Sequence, residues 1–450
     1  MSSLFPSLDQ IKSTLMDSDQ VLWWRVFDSR SRRSEAYLLK NEGRIEADQN
    51  REVSEQQVEV ELAVSLGDES QGRVRKALAI GVDIETQVQQ MIQLAMLSEE
   101  KSWSLMDNGK SYEKQTKAFT SQQTGEVLQG IIHRLEQALE DPAVQQGLFN
   151  SAEVFCEHKQ VRVLNSAGLM SYEEKARIYF ETCFAYRHDQ GEDEFMLTEW
   201  AENPDQIDIL GLCRRSVEGA KQLGQAGLPV SGSYSVLLTS DVLIELFNDL
   251  RSQMSLKNRY EKIPYLAPKT ELVAGFEGTP FEFYLDPEQD GSFGQKAVTS
   301  DGVEQRVTAL VKGNQVVESI SPVQYATYFG QPPSSSMGCM RIDAECRPME
   351  QVLEDLDRPL LEILQFSGLF TNPMDLTFSS EIRLARIYDP DLKQWRYVKG
   401  GNLSGRFIEN LKGVQFVGPN KMQNTRLYSD AELSYFGPQA AILSGVSVSS

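Results

Sequence analysis

Val58, Val60, Leu62, Val64 and Leu66 alternate with charged or polar neighbours, which predicts a strand buried on one face and, with it, antiparallel sheet. Val21–Phe27 and Ala36–Lys40 read as earlier strands, while Ile84, Val88, Met91, Ile92, Ala95 and Met96 recur at helical spacing. A polar stretch from Met106 to Gln123 marks a boundary. Beyond it, Val127, Leu128, Ile131, Ile132, Leu135 and Leu139 form an apolar stripe on a helix stopped near Pro142. Ser151–Leu164 and Arg177–Arg187 then read as strands, with Ala176, Ile178, Phe180, Phe184 and Tyr186 on one face. Ile209, Leu210, Cys213, Val217 and Ala220 follow as another amphipathic helix. In both units a turn, Asn41-Glu42-Gly43 or Asn165-Ser166-Ala167-Gly168, precedes a long alternating strand. The order hints at an internal duplication of about 120–130 residues.

From Tyr234 onward one helix, about Asp241–Met254, is followed by short apolar runs separated by Gly, Pro, Asn and Asp. They are Thr270–Phe276, Phe281–Leu285, Val307–Lys312, Gln315–Ser319, Ile382–Tyr388, Trp395–Val398 and Gly413–Val417, with one further helix expected over Met349–Gln365. Lys312-Gly313-Asn314-Gln315 reads as a hairpin turn, because Gly and Asn tolerate positive φ. Tyr325–Ile342, with Pro332, Pro333 and three consecutive Ser, is the least regular stretch and reads as a mobile loop. The expected fold class is α+β: mixed or antiparallel sheets with helices in the amino-terminal half, and a β-rich carboxy-terminal half. The expected organisation is an α+β unit at 1–110, a second at 111–228 that duplicates the first, and a β-rich domain at 229–450.

Composition narrows the function classes. The 450 residues carry 44 Lys+Arg against 65 Asp+Glu, a formal charge of −21, which opposes binding to a phosphate backbone. No run approaches the ~18 apolar residues of a membrane span. Met1–Gln20 lacks a positive region followed by an apolar one, so neither insertion nor secretion is signalled and a cytoplasmic location is expected. Five widely spaced Cys without CxxC suit reduced thiols.

Sharp chemical motifs are scarce. His133 sits on the amphipathic helix with no second ligand type at i+3 or i+4, the pattern of a helix-surface histidine. Cys156 and His158 share a strand face, but Cys183 and His188 differ by five positions and point to opposite faces, which argues against a four-ligand zinc site. Cys339 and Cys346 have no nearby His. There is no Gly-x-Ser-x-Gly elbow and no Walker lysine; Lys399–Gly405 is glycine-rich but reads as a hairpin connection. Asp189, Glu192, Asp193 and Glu194 read as a solvated turn without calcium-ligand spacing, and Arg30, Arg32 and Arg33 as a small basic patch in a turn.

Four segments, in order, carry a family resemblance: Val163-Leu164-Asn165-Ser166-Ala167-Gly168, Tyr234-Ser235-Val236-Leu237-Leu238, Phe276-Glu277-Gly278-Thr279-Pro280, and the ending from Phe436-Gly437-Pro438 to Ser447-Val448-Ser449. They resemble the TldD/PmbA family, whose PmbA branch, also called TldE, has been described as a modulator of DNA gyrase. The resemblance implies a two-component protease in which TldD holds the metal and TldE holds none. The TldD branch carries His-Glu-x-x-x-His on the helix after the Tyr234–Leu238-type strand, plus a Cys near the carboxy terminus. Laid on Leu246–Gln253, that motif puts Asn248 and Gln253 at the ligand positions and Asp249 at the base position. Ser233–Tyr260 contains neither His nor Cys, and Gly418–Ser450 contains no Cys. Amides are poor zinc ligands beside imidazole and thiolate.

The expectation is therefore a subunit without catalytic residues, metal or cofactor of its own. Its partners would be a TldD-type metalloprotease subunit, or a second copy of itself, and an unfolded peptide, with no direct nucleic-acid or membrane contact. A strand edge is the expected means of holding peptide. Two alternatives stay open: a divergent metallopeptidase with relocated ligands, for example Cys156 and His158, or a stand-alone peptide-binding scaffold homodimer.

Overall fold

The computed structural model describes residues 5–41, 44–115, 118–189, 191–426 and 431–450. In the first half the order is α1 (Leu8–Met16), β1 (Val21–Asn41), β2 (Arg44–Ser65), β3 (Ser70–Ala77), α2 (Ile84–Ala95), β4 (Glu99–Lys101), β5 (Ser111–Lys114), α3 (Thr124–Leu139), β6 (Leu148–Asn165), β7 (Met170–His188), β8 (Gly191–Ala201) and α4 (Ile209–Leu223). The sequence helix–strand–strand–strand–helix thus occurs twice. β1 and β6 pair antiparallel at the centre, with Arg32 opposite His158, and the strands run β3-β2-β1-β6-β7-β8 across one sheet. Segments 1–110 and 111–228 therefore share a single sheet. Of the two turns expected to open the long strands, Asn165–Gly168 is formed, with Gly168 at φ +88°, whereas Glu42 and Gly43 lie outside the described residues.

Strand alternation sets the layers. On β1, Trp24 and Val26 pack with Ile11, Leu62, Val88 and Ile92, whereas Ala36 and Leu38 pack with Ile131, Leu135, Ile178 and Leu212. These β1 residues share parity and so one face, which puts both helix pairs on the same side of the sheet. The other face meets the second half: Trp23 packs with Val323, and Arg25 is bonded to Asp301, Ser300 (2.9 Å) and Glu61 (2.6 Å).

The second half comprises β9 (Gly232–Thr239), α5 (Ser240–Ser252), α6 (Leu256–Glu261), β10 (Phe281–Asp286), β11 (Thr308–Gly313), β12 (Gln315–Val316), α7 (Val323–Phe329), β13 (Cys339–Ala344), β14 (Cys346–Arg347), α8 (Met349–Glu354), β15 (Leu360–Phe366), β16 (Phe370–Asn372), β17 (Thr377–Asp389), β18 (Gln394–Val398), β19 (Asn402–Arg406), α9 (Phe407–Asn410), β20 (Gln415–Arg426) and β21 (Glu432–Ser449). The pairings β9–β15–β17–β19–β21–β9 close into a ring. α5 packs beside it, its buried Phe247 meeting the rings of Phe281, Phe283, Phe407 and Tyr435. The fold is α+β with a strand-rich carboxy-terminal half, as expected.

Several elements differ from the sequence reading. β1 is one 21-residue strand, so Arg30, Arg32 and Arg33 lie within it and not in a turn; cross-strand and same-strand carboxylates carry their charge, such as Glu52 on Arg32 at 3.1 Å. The helix expected over Met349–Gln365 stops at Glu354, because the residue before Pro359 disfavours α geometry, and Leu360–Phe366 becomes an interior strand. Thr270–Phe276 forms no strand beyond a single bridge at Glu271. Tyr325–Ile342 is pinned: α7 and β13 bracket it, Ser334 Oγ accepts from Ser321 N (2.9 Å), and Ser335 Oγ accepts from Arg306 N (2.7 Å). The Lys312–Gln315 hairpin is present. Lys399–Gly401 is not a hairpin: it joins β18 and β19 along the same edge of β17, with Gly400 and Gly401 both at positive φ.

Candidate functional site

Helix α5 carries the positions that the resemblance singles out. Gln253, its C-cap, is buried, and its Nε2 donates to the carbonyls of Pro373 (2.7 Å) and Met374 (3.1 Å) in the turn between β16 and β17. Asn248 Oδ1 accepts from Arg251 Nη2 at 2.8 Å. Asp249 is buried, and burial pushes its carboxyl up, partly offset by a hydrogen bond with Thr371; its Oδ2 has no hydrogen-bond partner. These three side chains follow one helix but face different neighbours.

Residues considered for metal binding do not converge. Cys156 and His158 lie on β6, with Arg32 and Ala176 flanking His158, and burial lowers the His158 pKa. Cys183 sits opposite Ser151, five positions along β6 from Cys156. His188 pairs with Asp193 at 3.1 Å, and His133 contacts Gln137 (3.0 Å) and Glu136 (3.5 Å) on the surface of α3. Among the described residues, no three His, Cys, Asp or Glu side chains form a group that could hold a metal ion. Burial pushes the thiols of Cys156, Cys213 and Cys339 up to about 12, the reverse of thiolate activation.

The acidic run expected in a turn instead opens β8. Glu192 pairs with Arg187 (2.6 Å), Asp193 accepts from His188 and from Lys399 across the two halves (3.2 Å), and Glu194 accepts from Asn150 (2.7 Å).

One feature on α5 was not singled out from sequence. Asp241, Glu245 and Asp249 recur at i, i+4 and i+8, a like-charged stripe along one helix face. Asp241 and Glu245 border a cavity of about 570 Å³ between β8 and α4 on one side and α5, β15, β17 and β20 on the other. Its apolar lining includes Phe195, Leu197, Leu212 and Leu384. Burial, then the charges of Asp249 and Asp241, push the Glu245 carboxyl up to about 7. Glu199, from β8, faces the same space; burial raises its pKa, partly offset by Lys421 and Arg215. The spacing of the stripe was legible in the sequence, but its burial against β8 was not.

A second interhalf cluster lies at β7. Arg177 pairs with Glu157 (3.1 Å) and Glu432, Lys175 reaches Glu432 (3.6 Å) and donates to the Phe293 carbonyl (2.9 Å), and Lys296 pairs with Glu173 (2.9 Å). Burial raises the Glu432 pKa, but Arg177 and Lys175 outweigh it and hold the carboxyl below its usual range.

Residues 231–450 match the family model for the PmbA/TldA metallopeptidase C-terminal domain. The whole chain is similar in fold to TldE from Thermococcus kodakarensis, at TM-score 0.76 and 14% identity, covering 98% of this chain and 99% of that one. It is also similar to proteins named as candidate modulators of DNA gyrase from Thermotoga maritima (TM-score 0.75, 15% identity, 99% and 100% covered) and Bacteroides thetaiotaomicron (0.72, 14%, 98% and 97%). No curated protein matches the chain. The domain match thus places residues 231–450 with the PmbA/TldA metallopeptidase C-terminal domains, and the neighbours show that the whole chain shares their fold.

Proposed function

We propose that this chain is a non-catalytic PmbA/TldE-type subunit of a two-component metalloprotease acting on unfolded peptides, with a TldD-type partner supplying the metal. The observation that carries the reading is the chemistry of α5. The ligand positions hold two amides, Asn248 and Gln253, and the Gln253 amide is already engaged by the Pro373 and Met374 carbonyls. Asp249, at the base position, has no metal-bound water to deprotonate on this reading. The alternative ligands Cys156 and His158 are disfavoured because, among the described residues, no further His, Cys, Asp or Glu groups with them to complete a metal site.

A cytoplasmic location and the absence of direct DNA contact belong to the same proposal; the −21 charge makes any link to gyrase indirect, through peptides. Peptide capture at a strand edge is supported by β2: β3 pairs it only from Glu59 to Ser65, so residues 45–57 have β1 as their one strand partner among the described residues. The repeated helix–strand–strand–strand–helix order supports reading 1–110 and 111–228 as copies of one unit, with 229–450 as the domain that would hold the partner's chemistry.

The test is co-expression with a TldD-type protein carrying His-Glu-x-x-x-His, followed by affinity capture and mass measurement in solution. The expected result is a stoichiometric complex with an interface of obligate size, on the order of 2,000 Å² or more. A chain that stays monomeric, or pairs only with itself in excess partner, contradicts the proposal.

A further inference from the structure

The cavity beside α5 is lined by four carboxylates, Glu199, Glu218, Asp241 and Glu245, and three cations, Arg215, Arg386 and Lys421; Glu218 accepts from Gln222 (2.8 Å) and Asp241 from Thr239. Among the described residues, neither Glu245 nor Glu199 makes an ion pair or a side-chain hydrogen bond, and both are half-buried in its wall. Gln365, which also lines it, gives its Nε2 to the Met196 carbonyl and leaves a buried Oε1 without a partner. Arg386 is committed elsewhere, to Glu362 at 2.6 Å and over the Trp395 ring, so it does not neutralise the acids. Arg215 and Lys421 are exposed and act on Glu199, whereas the charges that act on Glu245 are both negative. The same cavity has an apolar wall that includes Phe195 and Leu384, both buried.

A ligand matched to this space brings hydrogen-bond donors and positive charge at one end and hydrocarbon along the rest. We propose that the cavity is a specificity pocket for an alkylammonium group of a peptide, a lysine side chain or a free amino terminus, with Glu245 as the anionic acceptor and Phe195 and Leu384 packing its methylenes. The inference deepens the peptide-binding role proposed above and rests on it for the identity of the ligand as peptide. Its volume of about 570 Å³ accommodates a side chain with its neighbours rather than a folded domain.

The experiment titrates the full chain calorimetrically at pH 8 with three probes: acetyl-Leu-Lys-amide, the same compound acetylated on the lysine Nζ, and Leu-Leu-amide with its free amino terminus. The lysine probe is expected to bind about tenfold tighter than its acetylated form. Glu245→Gln is expected to erase that difference, whereas Glu245→Asp, which keeps the charge, retains it; thermal melts show that each variant is folded, and Glu199→Gln serves in place of a variant that is not. Either ranking of the lysine and amino-terminal probes supports the pocket and identifies the source of the ammonium. Equal binding of the lysine probe and its acetylated form together with no binding of the amino-terminal probe, no binding of any probe at millimolar concentration, or a preference that survives Glu245→Gln in the folded protein overturns it. A preference for either ammonium probe in a chain that forms no complex with a TldD-type partner would fail the subunit reading alone, and a stable complex with no preference for either would fail this inference alone.

Discussion

Gln253 Nε2 donates to the Pro373 carbonyl at 2.7 Å, so the side chain that the resemblance would lay on a metal-ligand position is a strut between α5 and the β16–β17 turn. Gln253→Ala removes the donor for both Pro373 and Met374, which lie in an exposed turn where water replaces part of the loss. The expected cost is about 1 kcal/mol in urea unfolding. Hydrogen exchange of Leu376 N, which donates to Asn372 O at 2.8 Å within that turn, is expected to speed up selectively.

Glu245 makes stability depend on pH in a defined window. Its carboxyl is pushed from an ordinary value of 4.5 up to about 7 in the fold. The folded chain therefore binds more protons than the unfolded one between those values, and this group's contribution to stability falls as pH rises from about 4.5 to 7. Glu245→Gln is expected to stabilise the protein at pH 8, on the order of 1 kcal/mol after allowing for its partial exposure, and to change little at pH 4.5. Denaturant midpoints of both proteins at the two pH values check this.

The Arg177 cluster behaves in the opposite sense. Arg177 is nearly fully buried between Glu157 and Glu432, and Arg177→Met leaves these carboxylates without their shared cation. A loss of about 3–5 kcal/mol is expected, with the contact between the two halves weakened first. Because the Glu432 carboxyl is held below its usual range, its contribution is present above about pH 4.5 and is lost as pH falls through the lower folded value. Limited proteolysis of the wild-type chain between pH 6 and pH 3.5 is expected to show the two halves separating as the pH drops.

Gly219 on α4 faces Phe195 on β8, and a Cβ there would come within 2.4 Å of the ring. Gly219→Ala is expected to lift α4 from the sheet at a cost of about 1–3 kcal/mol, read as a lower melting temperature.

Thiol reactivity follows burial. Cys156, Cys213 and Cys339 are pushed up to about 12 and Cys183 to about 11, whereas Cys346 is half-buried. Native-state labelling is expected to modify Cys346 first and the others only on unfolding.

Sequence periodicity located the elements whose cores are amphipathic: Val58–Val64 on β2, Met91 and Ile92 on α2, and Ile131 and Leu135 on α3 all reach the core. It split β1 because Arg30–Arg33 looks like a turn when the opposing strand, with Glu52 and Glu55, is not yet in view. It missed β21, an 18-residue strand whose Gly437, Pro438 and Gly445 read as breaks; Gly445 adopts φ +72° at a register shift between Leu443 and Val446. At the candidate site, Asn248, Asp249 and Gln253 were readable only by resemblance, and their neighbours in the β16–β17 turn were not readable at all. The Asp241–Glu245–Asp249 stripe was present as spacing, yet its significance depends on β8 and α4 closing over it, and the β8 residues of the cavity lie more than 40 positions before Asp241.

The most direct test of the account is the transition-metal content of the purified chain, measured together with cleavage of an unfolded peptide, alone and with a TldD-type partner. The account predicts no stoichiometric metal and no cleavage by the chain alone, and chelator-sensitive cleavage once the partner is added. One zinc per chain with chelator-sensitive cleavage in the absence of any partner would contradict it.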